Sequence, residues 1–252
     1  MLGTYRYVLA LLVFHSHIQV TKFHSIWWEG IYAVFGFYVV SGFLMALILN
    51  EVYTGKRNIF RYVLNRVLRI YPLYLAAFVL SVLVLYAGMS MEYSKIPDSP
   101  KALFSNLTLL YDWDSVNTVT QSWSLRIELV FYLLMIILCR NFTITIIWFF
   151  LSVILTIYLL NQELVFSKYY NTLLGSSLAF SGGSLIYFLK SKMSLQVIHL
   201  PISFTLWILH LVFAKSIWRF PEIPSAIHAI FHKHHYGLYA NVILSILSLI
   251  HI

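Results

Sequence analysis

Apolar runs recur along the chain, each close to the roughly 20 residues that cross a bilayer as a helix. Short stretches rich in Gly, Pro, Asn, Asp and charge separate them. Run length predicts about eight spanning helices, near 5–22, 31–50, 71–89, 124–140, 142–160, 171–189, 196–216 and 236–252. The expected fold is therefore all-α, a polytopic transmembrane helical bundle. Ser90 to Gln121 is the longest break; it contains Pro97, Asp98 and Pro100 and reads as an external loop. No internal repeat stands out, and residues 1–252 leave no room for a soluble domain, so one integral membrane domain is expected.

One segment has a different pattern. Between Asn58 and Tyr71, Ile59, Phe60, Val63, Leu64, Val67, Leu68 and Tyr71 fall at helical spacing, with Arg61, Asn65, Arg66 and Arg69 between them. That alternation predicts a basic amphipathic helix at the cytoplasmic interface. Pro72 should end it and open the next span, because the residue before a proline resists helical geometry.

Composition agrees with the run lengths. The chain is 60% hydrophobic and 10% charged, against roughly 25% charged in a soluble domain. Its mean hydropathy is +0.81. The net charge of +8 would suit nucleic acid, but its placement argues against that partner. Lys56, Arg57, Arg61, Arg66 and Arg69 crowd one connection, and Arg140, Lys190 and Lys192 mark two more. These connections alternate, as the positive-inside rule requires, and put the N-terminus in the cytoplasm. The first apolar run, interrupted by His15 and His17 and lacking a small-x-small site, is not a signal peptide. A single cysteine, Cys139, excludes an intrachain disulfide and a multi-cysteine metal site.

Chemistry is expected where ionisable groups meet apolar helix, since each costs roughly 2.5–3.5 kcal/mol at a helix centre. Arg6 and His17 stand eleven positions apart, about 16 Å along a helix, so Arg6 marks the cytoplasmic boundary and His17 lies deeper. A neutral imidazole there suits either an interhelical hydrogen bond or a general base for a hydroxyl. Arg66 and Arg69 are i,i+3 neighbours and suit a phosphate or pyrophosphate, or serve simply as topogenic charge. In Trp123-Ser124-Leu125-Arg126-Ile127-Glu128, the glutamate shares a face with Ser124 and Tyr132, while Arg126 points elsewhere. Glu128 then needs a partner on another helix, His17 or an arginine, as a structural clasp or in acid/base work. Ser41-Gly42-Phe43 is a small pair that allows close helix approach or a kink. His228, His232, His234 and His235 cluster late in the chain, but no acid falls among them and no metal site is expected.

Taken in order, these residues resemble the acyltransferase-3 family of integral membrane O-acyltransferases. Tyr5-Arg6-Tyr7 through Val13, followed by His17, is similar to the family's opening helix. Val39-Val40-Ser41-Gly42-Phe43-Leu44-Met45 resembles its second-helix signature, and Asn65-Arg66-Val67-Leu68-Arg69-Ile70-Tyr71-Pro72 its RxxR-I-Y-P element. Ser122-Trp123-Ser124-Leu125 through Glu128, then Phe131-Tyr132, is similar to W-S-L-x-x-E-x-x-F-Y. The four motifs cover about the first 135 residues.

The resemblance implies a transferase of groups other than aminoacyl groups, moving an acyl (expected acetyl) group from cytoplasmic acyl-CoA to a carbohydrate hydroxyl of a cell-surface or exported glycan. His17 and Glu128 would be catalytic, with Arg6, Ser41, Trp123 and Ser124 in support. Arg66 and Arg69 would contact the phosphates of CoA, and Glu128 would line the same cavity. Acyl-CoA would be a donor substrate, with no permanently bound cofactor and no metal, because a thioester is already activated. Membrane lipid, acyl-CoA and the carbohydrate are the expected partners, and a bacterial inner membrane the expected location. Family members have about ten spans and a late S-Y-x-x-Y-L-x-H segment. This chain stops at Leu249-Ile250-His251-Ile252 without it, which points to C-terminal truncation. The alternatives are a transporter whose Arg6, His17, Arg126 and Glu128 line a polar path, and an inactive remnant.

Overall fold

The computed structural model describes residues 2–17, 27–89, 94–109, 117–161 and 171–190. Among the described residues there are seven helices and no strand, so the all-α expectation holds. They are α1 (Leu2–His17), α2 (Trp27–Glu51), α3 (Lys56–Tyr86), α4 (Pro100–Thr108), α5 (Ser122–Leu138), α6 (Phe142–Asn161) and α7 (Leu173–Lys190). Stretches within α2, α3 and α6, at Ala33–Glu51, Asn58–Tyr86 and Phe142–Leu159, are long and apolar enough to cross a membrane. The eight expected spans are thus matched by three of full length, with α1, α5 and α7 standing at three further expected places. The runs at 196–216 and 236–252, and the histidine cluster at His228–His235, lie outside the described residues.

Local chemistry sets the helix starts. Asn141 Oδ1 accepts from the Ile144 amide at 2.8 Å ahead of α6, and Thr172 Oγ1 accepts from the Gly175 amide at 3.1 Å ahead of α7. Each satisfies one of the amides a helix start leaves without an intrahelical partner.

The chain divides into two compact units, Met1–Ile48 with Leu138–Ile252, and Leu49–Ile137. In the first, small residues let backbones meet. A Cβ added at Gly183 on α7 would run into the Val39 carbonyl of α2, and one at Gly42 on α2 into the Phe180 carbonyl of α7. Close approach is therefore what Gly42 provides, in a helix that contains the Ser41-Gly42 pair without a break. The Ser184 hydroxyl lies 2.8 Å from the Phe180 carbonyl and 3.2 Å from that of Gly42, and accepts from the Cys139 thiol at 3.2 Å. Tyr38 and Phe180 stack at 4.8 Å between the same two helices. From α6, Trp148 Nε1 donates to Ser177 Oγ of α7 at 2.9 Å, and Ser177 and Ser152 share a bond of 2.7 Å. Such polar pairs satisfy groups that hydrocarbon cannot.

The second unit is built on α3, which runs unbroken for 31 residues with Pro72 inside it. The break expected at Pro72 is absent. A proline removes one backbone bond, a loss that spanning helices absorb when neighbours supply other contacts. Those contacts come from α4, which occupies part of the segment expected to be an external loop. Ser99 caps α4 by accepting from the Ala102 amide at 3.1 Å, with Pro100 in its first turn. Tyr74 of α3 donates to the Asn106 carbonyl at 2.6 Å, and Tyr71 to that of Thr108. Tyr71 lies about 22 Å before the C-terminal end of α3, at 1.5 Å per residue. The C-terminal end of α4 thus sits beside the middle of α3. Non-helical backbone at such depth must be satisfied by protein. Asn106 Oδ1 accepts from the Thr118 amide at 3.0 Å, the Thr118 hydroxyl donates to Lys95 O at 3.1 Å, and Ser94 donates to Thr118 O at 2.8 Å.

Candidate functional site

The second unit holds the described residues that best resemble a site. Tyr62, Arg66 and Ile70 fall one turn apart on the buried stripe of α3, and Phe131, Tyr132 and Met135 on that of α5. The Tyr62 hydroxyl donates to the Tyr132 carbonyl at 3.1 Å and ties the two helices together. The Arg66 guanidinium lies 5.7 Å from the Tyr62 ring centroid and 5.8 Å from that of Tyr132, so two π faces attract its charge. Tyr132 is itself fixed, since its hydroxyl donates to Glu128 Oε1 one turn back.

Arg66 is only 9% exposed, and its Nε and Nη1 are buried with no hydrogen-bond partner among the described residues. It borders a cavity of about 210 Å³, walled mainly by Val63, Val67, Leu109, Leu129, Val130 and Leu133. Buried polar groups are nearly always satisfied, and an orphaned cation is costlier than an orphaned amide. A buried guanidinium with donors to spare, held between two aromatic rings, has the chemistry that suits an anion. Leu109, which follows α4, takes φ 53 to turn the chain at the cavity wall. A left-handed leucine is uncommon and is retained only where its surroundings fix it.

The other expected site residues are distributed as follows. Arg69 is exposed on α3, three residues beyond Arg66. Ser124 stands in the first turn of α5, where its hydroxyl donates to Gln121 O at 2.9 Å, and Trp123 stands half-buried beside it. Arg126 is buried. Glu128 accepts from the Tyr132 hydroxyl one turn along its own helix. His17 is the last residue of α1, with Arg6 half-buried near its start, and Ser41 is half-buried on α2. His17, Arg6 and Ser41 belong to the first unit, and Arg66, Arg69, Trp123, Ser124 and Glu128 to the second.

Tyr62, Tyr71, Thr108 and Leu109 escaped the sequence reading as site residues. Tyr62 carried a signal, because it stands four residues before Arg66 on the same helical face. Thr108 and Leu109 had none, since they reach the cavity only through the packing of α4 and its C-terminal turn.

Apolar helices long enough to span a membrane define an integral membrane protein, with a buried guanidinium among its described residues. The comparison with protein families narrows this: the model of the acyltransferase-3 family, described as an acyltransferase domain, matches residues 4–251. The chain belongs to that family. Comparison with curated proteins and with solved structures yielded no match.

Proposed function

We propose that this membrane acyltransferase moves an acetyl group from acyl-CoA to a hydroxyl of a cell-surface or exported glycan. It would do so in a bacterial inner membrane with its N-terminus in the cytoplasm. The observation that carries the reading is Arg66, a buried cation with unsatisfied donors, followed by exposed Arg69 on the same basic half of α3. Two guanidinium groups at that spacing suit the linked phosphates of a CoA donor. Glu128 acts through Tyr132, whose ring lies against Arg66.

In this reading the His17 imidazole removes the acceptor hydroxyl proton as the oxygen attacks the thioester carbonyl. The new C–O bond forms, the C–S bond breaks, and the departing thiolate takes the proton back from the imidazolium. Arg6, Ser41, Trp123 and Ser124 keep the supporting roles that the family motifs imply. No metal enters, because the thioester is activated on its own.

The test is acetyl transfer by membranes containing the full-length protein and a radiolabelled acetyl-CoA donor. His17→Ala should abolish transfer, by at least the 10²–10⁴-fold typical of a lost general base. Arg69→Ala should raise the KM for the donor and weaken binding of a CoA analogue. Unchanged turnover in His17→Ala would remove the base assignment, and consumption of no thioester at all would end the acyl-transfer reading.

A further inference from the structure

The buried face between α3 and α5 continues beyond the cavity at Arg66. Leu129, Val130 and Leu133 of α5 line that cavity, and Arg126 stands three and four residues before the first two, on the same face one turn further on. Ser122 follows one turn beyond Arg126. On α3, Tyr71 lines the cavity and Tyr74 continues its face by one turn. Arg126 and Tyr74 are close enough for the guanidinium charge to act on the hydroxyl. Because Tyr74 comes eight residues after Arg66, the second arginine stands about 12 Å further along α3 than the first. The end of α4 covers this stretch, through the bonds from Tyr71 and Tyr74 to the carbonyls of Thr108 and Asn106.

Arg126 is 4% exposed and Ser122 is fully buried. The Ser122 hydroxyl has no hydrogen-bond partner among the described residues. Arg126 has contacts of its own within the protein, and a guanidinium carries more N–H donors than one contact uses. A cation buried on an apolar helix faces a partner or the path of a ligand.

We propose that Arg126 and Ser122 bind the pantetheine arm of the acyl-CoA donor, donating to its carbonyl oxygens while Arg66 and Arg69 hold the phosphates. The proposal rests on the acyl-CoA reading above and adds two residues to it. The arm is uncharged and joins methyl and methylene groups to a hydroxyl and amides. The cavity between the two arginines has the same mixture, with Val63, Val67, Leu129 and Val130 for the hydrocarbon and Tyr71 and Thr108 among them. A carbonyl oxygen only accepts, so the far end of the arm needs donors, which a guanidinium and a hydroxyl supply.

The experiment measures binding of two probes to the full-length protein in a neutral detergent, by titration calorimetry. One is CoA; the other is adenosine 3′,5′-bisphosphate, which keeps the nucleotide end of CoA but lacks the arm. CoA should bind about tenfold or more tightly than the bisphosphate, as hydrogen bonds to a charged donor imply. Arg126→Gln should weaken CoA by about tenfold or more, and Ser122→Ala by about threefold, with bisphosphate binding unchanged in both. Ser122→Ala removes a hydroxyl that bonds to no described residue, so its thermal unfolding midpoint should not fall. It decides the matter alone if Arg126→Gln does not fold. Equal affinity of the unaltered protein for the two probes would overturn the proposal. So would undiminished CoA binding in either folded variant, or a parallel loss of both probes, which is the mark of a structural role. If the unaltered protein binds no CoA at all, the acyl-CoA reading itself fails and the proposal goes with it.

Discussion

A guanidinium 5.7 and 5.8 Å from two tyrosine rings, with its charge unpaired among the described residues, is held by forces that favour the cation without neutralising it. Cation–π attraction contributes up to about 2 kcal/mol where water is excluded. The two rings have different supports, Tyr132 through Glu128 and Tyr62 through the Tyr132 carbonyl. Removing only the Tyr62 hydroxyl, in Tyr62→Phe, should cost about 1 kcal/mol, the net worth of one hydrogen bond. Tyr62→Leu also loses the ring and opens space, and should cost about 2–5 kcal/mol. Denaturant unfolding in detergent would separate the two; equal costs would mean that the ring does nothing for Arg66. The sequence made part of this arrangement legible. The spacing of Arg66 from Arg69, and the shared face of Glu128 and Tyr132, are helical arithmetic. The pairing of α3 with α5 that brings Arg66 to Tyr132 spans 66 residues of chain, and no periodicity encodes it.

Among the elements, those set by apolar run length were readable. The runs expected at 31–50 and 142–160 became Trp27–Glu51 and Phe142–Asn161. Hydrocarbon demands a fixed length of satisfied backbone, so sequence and geometry are tightly linked there. Pro72 and α4 misled for opposite reasons. Pro72 was weighed by its local steric preference, which tertiary contacts from α4 override. α4 has only nine residues, too few for run length to reveal, although Ser99-Pro100 is the cap-and-proline pattern that opens helices. The α2–α7 contact offers a test at this scale. Gly183→Ala puts a methyl against a backbone carbonyl that cannot swing aside, and should lower stability by about 1–3 kcal/mol. Gly3→Ala meets nothing within 4 Å and should be neutral or slightly stabilising, since alanine favours helix. Both are measured by thermal unfolding, and equal effects would mean that the α2–α7 seam is slack.

At the scale of the whole molecule, charge and hydropathy together predict which ends of α3 face which compartment. Cys139 is the only cysteine and is buried, so it gives a quiet background for labelling. A cysteine at exposed Glu51, before α3, should react with an impermeant maleimide only when the cytoplasmic face is open to the reagent. One at exposed Asp98, ahead of α4, should react in intact cells. Labelling of both positions from one side would invert or abolish the span.

The glycine seam also bears on how the chain is made. Gly42 and its partner Ser184 are 142 positions apart, so the groove on α2 is synthesised long before the helix that closes it. At about 5–20 residues per second, α2 waits on the order of ten seconds beside the insertion machinery with that groove unfilled. Lipid tails or an escort helix must line it in the meantime, and the arrival of α7 displaces them. Assembly of the first unit is therefore a late event, timed by the ribosome.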